Sequence, residues 1–189
     1  MKATIGVGTR HICLSEADVK LLFGPDYSLT IFKPLTQGKT FMANETVKLK
    51  TNMGEIPDVR VLGPARKYTQ ATILKSDDYL LRCYPPVRDE GDLKDNTEVT
   101  IIGPFGKITR PCARIMTRHV HMNPKDSFKF GFYDKEIVRA KITTDKGAYL
   151  EDVIVKISID AHIELHIDID DANACLVESG DTAKIIKKK

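Results

Sequence analysis

Tryptophan is absent from this 189-residue chain, and aromatic residues make up only 7% of it. A composition so poor in large rings disfavours a broad aromatic platform for stacking ligands. No run of about 18 apolar residues occurs, so no segment reads as a membrane span. The N-terminus, Met1 to Gly8, alternates like a strand and lacks the continuous apolar core of a signal peptide. The four cysteines, Cys13, Cys83, Cys112 and Cys175, show no CxxC spacing and no disulfide rhythm. Reduced thiols in a cytoplasmic setting are the expectation. Excess charge is also scarce: the net value is +3, and part of it sits in the terminal Lys187, Lys188 and Lys189. That tail reads as solvated, so a nucleic-acid partner is not expected. The remaining composition, 42% hydrophobic and 29% charged, is that of a globular protein large enough for one or two cores.

The chain does contain a repeat. Arg10-His11-Ile12-Cys13-Leu14-Ser15-Glu16-Ala17-Asp18 aligns with Arg118-His119-Val120-His121-Met122-Asn123-Pro124-Lys125-Asp126. In an extended segment, residues two apart point the same way, so His119 and His121 share a face, as do His11 and Cys13. Each block then opens a helix. Ser15 and Asn123 are N-cap residues with an Asp three positions on, Pro124 suits the first helical position, and Gly24 and Gly131 supply the stops. Asp58-Val59-Arg60-Val61 matches Asp152-Val153-Ile154-Val155. Continuing in register pairs Gln70 with Glu164 and Thr72 with His166 and brings Asp77-Asp78 close to Asp170-Asp171. Two matches in the same order point to an internal duplication.

Between these blocks the chain is mostly short β-branched or alternating segments, at 46–51, 58–62, 99–102, 137–143, 153–159 and 183–186. Turn signals such as Gly63-Pro64, Gly103-Pro104 and Asp145-Lys146-Gly147 separate them. The expected fold is mainly β: two small β-barrels related by duplication, each capped by short helices. The expected division is 1–90 and 91–189, with Tyr84 to Asp92 as linker. That boundary is soft, because strands can be exchanged between barrels.

In Ala161 to Ile169, His162, Glu164, His166 and Asp168 fall on one face and only Ile and Leu on the other, which must be core. His119, His121 and His166 together make a three-imidazole set suited to Zn2+, with a fourth position open for chemistry. The first copy offers His11 and Cys13 but has Thr72 where the second has His166. Glu45 or a water could complete that set; equally, Cys13 reads as a small buried hydrophobe. His162 reads as a companion rather than a ligand. Arg66 and Lys67 follow a tight turn, and Arg66 offers a planar fork for phosphate, although two solvated cations would give the same pattern.

Arg10 to Ser15, Lys33-Pro34-Leu35-Thr36-Gln37, Glu45-Thr46-Val47, Val59 to Arg66, Pro86-Val87-Arg88, Arg118 to Met122 and His166-Ile167-Asp168 resemble the phosphate propanoyltransferases of bacterial microcompartments. The resemblance runs from about Ile5 to the end. It implies two β-barrels capped by helices, acyl transfer between coenzyme A and phosphate, and two zinc ions at the barrel interface. One ion maps onto His119, His121 and His166. The other maps onto His11, Cys13 and position 72, where the family has His and Glu in place of Cys13 and Thr72. Arg66 matches the phosphate-binding arginine; Lys33, Arg60, Leu62 and Asn173 match positions bordering coenzyme A. Glu90 stands where the family usually has Ser, and Lys156 where it has Arg. Glu90 could repel phosphate or replace the carboxylate missing at Thr72. Members carried into microcompartments usually have an N-terminal targeting helix, and a chain that starts almost at the first motif suggests the free cytosolic form.

The expected function is therefore zinc-dependent phosphate acyl transfer, with acyl-CoA and phosphate as partners, no nucleic acid and no membrane. Homo-oligomerisation is left open. The alternative is a catalytically degenerate duplicate that keeps zinc or coenzyme A, for which Cys13, Thr72, Glu90 and Lys156 speak.

Overall fold

The computed structural model describes residues 1–36 and 39–188; Gln37 of the Lys33–Gln37 segment and Lys189 of the basic tail lie outside the described residues. The elements in the first half are β1 (Lys2–Gly8), β2 (His11–Ser15), α1 (Glu16–Phe23), β3 (Ile31–Pro34), β4 (Phe41–Lys50), β5 (Glu55–Arg66), β6 (Gln70–Thr72), α2 (Asp78–Leu81), β7 (Val87–Arg88) and β8 (Thr97–Ile102). The second half holds β9 (Lys107–Met116), β10 (His119–Met122), α3 (Pro124–Phe130), β11 (Ile137–Lys141), β12 (Tyr149–Ile157), β13 (Glu164–Asp168), α4 (Ile169–Cys175) and β14 (Thr182–Lys187). The order β1-β2-α1-β4-β5-β6-α2-β8 recurs as β9-β10-α3-β11-β12-β13-α4-β14, with β3 and β7 as additions to the first copy.

The chain forms two compact units, Arg10–Met116 and Met1–Thr9 with Thr117–Lys189. The second of these is a closed barrel in the order β1-β13-β10-β12-β11-β14. In the unit of residues 10–116, β4-β5-β2-β6-β9 is closed by β8, which pairs with both β4 and β9. Closure leaves neither barrel with a bare edge in its ring of strands.

The first strand of each repeat is exchanged. β1 pairs with β13 and β14, whereas its counterpart β9 pairs with β6 and β8. The chain crosses over in the two-residue links Thr9–Arg10 and Thr117–Arg118. The residue 90/91 boundary expected from the sequence thus falls inside one unit. Tyr84 to Asp92 is not a linker between units, because Val87 and Arg88 pair with Ile115 and Met116 of β9.

Each barrel has its own core. Ile5, Val120, Leu165 and Ile167 are buried in one; Ile12, Val61, Ala71 and Ala113 are buried in the other. Full burial of each large aliphatic side chain contributes about 1.5–3 kcal/mol. With alternate residues committed to the core, His119, His121 and His166 are forced onto the opposite face of β10 and β13. The helix caps follow the sequence: Ser15 and Asn123 accept the backbone N–H of Asp18 and Asp126 at 3.1 and 2.9 Å. Asp58 and Asp152 both take positive φ, 54° and 57°, so the repeat extends to an unusual backbone conformation.

Candidate functional site

In the barrel of residues 1–9 and 117–189, β10 carries His119 and His121 two residues apart, and antiparallel β13 sets His166 directly across from His119. The three rings stand with centroids 4.8–5.0 Å apart. One ring nitrogen from each lies within 4.8 Å of the others, close enough to converge on a metal ion after small side-chain rotations. No other group of three His, Cys, Asp or Glu side chains converges in this way among the described residues.

Hydrogen bonds to His119 and His166 decide which nitrogen of each ring keeps its lone pair. Thr117 offers a carbonyl to His119 Nδ1 at 2.9 Å; a carbonyl only accepts, so Nδ1 carries the proton and Nε2 keeps its lone pair. Glu164 Oε2 lies 2.7 Å from His166 Nε2, so an ionised Glu164 makes Nε2 the donor and leaves Nδ1 with its lone pair. Burial, then Lys156 and His166, push the His119 pKa well below 6.5, which keeps the imidazole neutral as ligation requires. His162 lies 3.7 Å from Glu164 and is not one of the three clustered residues.

Two residues that position the site had no assigned role in the sequence. Gly6 pairs with His166 across β1 and β13, and a Cβ there would stand 3.2–3.3 Å from Glu164 and His166. A glycine at an otherwise alternating strand position, facing the histidine side, was the available signal. Arg118, immediately before His119, donates to both Asp171 carboxylate oxygens, at 2.7 and 2.6 Å.

In the barrel of residues 10–116, His11 and Cys13 lie on β2, opposite Thr72 and Gln70 of β6. These are the positions that His119, His121, His166 and Glu164 occupy in the other barrel. Among the described residues, no group of three His, Cys, Asp or Glu side chains converges around them. Burial pushes the Cys13 thiol above its ordinary pKa, away from the thiolate a metal prefers. Glu45 does not complete the set, because it accepts from Tyr27 Oη at 2.9 Å, Thr30 Oγ1 at 2.7 Å and the Thr30 amide at 3.1 Å.

Arg66 ends β5 and is bonded through Nη1 to Glu90. Burial opposes the Arg66 charge, but Cys13, Glu90 and Tyr68 outweigh it and hold its pKa up. Arg60 donates to the carbonyls of Ala43 and Asn44 at 3.2 and 2.9 Å and stacks over Phe32 at 5.4 Å. Leu62 pairs with Cys13, and Lys33 lies exposed on β3. Asn173 is on α4 of the other unit. Lys156 sits across from His121. Among the described residues, no helix is long and apolar enough to cross a membrane.

The family model for phosphate propanoyltransferase matches residues 4–178. A phosphate propanoyltransferase of Thermotoga maritima is 40% identical over 185 residues, covering 97% of this chain and 88% of that protein. Proteins of the same name from Rhodopseudomonas palustris and Priestia megaterium are 37% and 41% identical, covering 99% and 94% of this chain and 83% and 82% of theirs. By length, order and identity, this chain belongs to the phosphate propanoyltransferase family.

Proposed function

We propose that the chain is a phosphate acyltransferase. A phosphate oxygen attacks the carbonyl carbon of an acyl-CoA, the thioester C–S bond breaks, and acyl phosphate and coenzyme A form; the reaction is reversible. The observation that carries this reading is the convergence of His119, His121 and His166 in a chain of this family. Zn2+ is the ion that three neutral imidazoles suit, and when bound it supplies Lewis acidity toward a carbonyl or phosphate oxygen. The names of the relatives make propanoyl-CoA the first acyl donor to test.

The chain's own residues have separable tasks. His119 and His166 present the lone pairs that Thr117 and Glu164 leave available. Arg66 binds phosphate through its planar fork and balances charge that develops at the reacting oxygens, once it exchanges Glu90 for substrate. Lys33, Arg60 and Leu62 in the barrel of residues 10–116, and Asn173 on α4 of its own barrel, are each candidate contacts for coenzyme A. The stacked Arg60 and exposed Lys33 support that role, with cationic groups available to the anionic cofactor. Four free cysteines support a reducing, cytoplasmic setting.

The test is phosphate-dependent release of coenzyme A from propanoyl-CoA. Wild type should turn over, His121→Ala should lose metal and activity together, and Arg66→Ala should lose most activity at unchanged metal content. A second reading, a catalytically silent relative that keeps metal or coenzyme A, draws on the engagement of Arg66 by Glu90. Metal binding without turnover on any acyl-CoA would establish it and overturn the first.

A further inference from the structure

In one barrel, the strand position across from His166 is Gly6; in the other, the position across from Thr72 is Arg114 of β9. The two pairs exchange bulk: a small residue beside an imidazole in one, a long cation beside a threonine in the other. Cross-strand partners point to one face, so Arg114 shares its face with Thr72, His11 and Cys13. Ala71 and Ala113, one residue back on each strand, face the core.

Arg114 is 4% exposed, an unusual place for a guanidinium. Nη1 donates to the Arg88 carbonyl at 2.8 Å, while Nε is buried with no hydrogen-bond partner among the described residues. Its charge acts on Glu90, Asp89, Cys13 and Tyr68. A fixed cation therefore lies among the groups that would surround a second metal ion, on a face where neither Cys13 nor Thr72 supplies an imidazole or carboxylate. A dication placed there would meet an immobile like charge in a poorly solvated site, while Glu90, the carboxylate that could stand in for position 72, is already bonded to Arg66.

We propose that Arg114 takes the place of one metal ion: the face of His11, Cys13 and Thr72 is metal-free, and the chain binds one ion rather than two. Gly6 leaves room for a ligand where Arg114 supplies a cation, and each choice matches the residue opposite. The proposal rests on reading His119, His121 and His166 as the metal site.

The test is elemental analysis after loading with Zn2+ and dialysis, read beside the absorption spectrum of the Co2+-loaded chain. Wild type should hold one equivalent, His119→Ala/His121→Ala none, and Co2+ should show no sulfur-to-metal charge-transfer band. Two equivalents in wild type, an ion retained after loss of both histidines, or a sulfur band from Cys13 would each overturn the proposal. Restoring donors with Cys13→His/Thr72→Glu should leave one equivalent, and adding Arg114→Gly should raise it to two. The same content in double and triple variants would show that Arg114 is not what replaces the ion. Wild type with no metal would refute the triad reading alone, and the difference between double and triple variants would then decide this one. Circular dichroism of every variant separates lost ligation from lost folding.

Discussion

Arg118 holds Asp171 through two hydrogen bonds of 2.7 and 2.6 Å, joining the residue before His119 to the helix that follows His166. Arg10 and Asp77 form the corresponding pair in the other barrel, at 2.8 and 2.6 Å. The clamp fixes two strands that contribute to one face, and it persists where Cys13 and Thr72 stand in place of His121 and His166. Its place in the repeat marks it as part of the framework.

Arg118→Ala should destabilise the chain by about 1–2 kcal/mol, because a charge-assisted pair is lost and Asp171 is left largely buried, while the exposed side of Arg118 is solvent-screened. Chemical denaturation measures this. Zinc affinity should fall with it, since the β10–α4 geometry is no longer held.

Gly6→Ala places a methyl 3.2 Å from the Glu164 carboxyl carbon and 3.3 Å from the His166 ring. The expected result is a folded protein whose Zn2+ affinity falls by about tenfold or more, the range found when groups that orient a ligand are disturbed. Competition with a chelator gives the number. Unchanged affinity would show that His166 does not need the space Gly6 leaves.

The repeated Arg-His blocks, the helix starts at Ser15 and Asn123 and the histidine face were legible because each is local. Alternation and capping depend on neighbouring residues, and the buried Val120, Leu165 and Ile167 confirm which face is core. Strand exchange was not legible as a specific pairing: β1 and β9 alternate alike, and nothing in their periodicity says which barrel each completes. The roles of Gly6 and Arg114 follow from that pairing, so neither is written in the local pattern of its own strand. Glu45 illustrates the same limit, since its carboxylate is taken up by Tyr27 and Thr30 rather than by a metal site.

Glu45 also sets a pH dependence. Burial alone would raise its pKa, but hydrogen bonds from Thr30 and Tyr27 prevail and hold it below 4.5. The folded state thus prefers the carboxylate. Its contribution is fully present above about pH 4.5 and is lost as pH falls through the lower folded value. Glu45→Gln should lower stability at pH 7 and flatten the decline below pH 4.5, as thermal unfolding across that range would show.

Glu90→Ser should release Arg66 and lower the KM for phosphate by about tenfold, equivalent to ~1.4 kcal/mol. The KM for acyl-CoA should change little. An unaltered phosphate KM would show that Glu90 does not compete for Arg66.

The most direct measurement is phosphate-dependent coenzyme A release from propanoyl-CoA, made before chelation, after it and after Zn2+ is restored. Turnover that vanishes with the metal, returns with Zn2+ and is absent in His121→Ala is the expected result. Turnover indifferent to chelation and to His121→Ala, or no turnover in the fully loaded chain, would contradict a metal-dependent acyltransferase built on His119, His121 and His166.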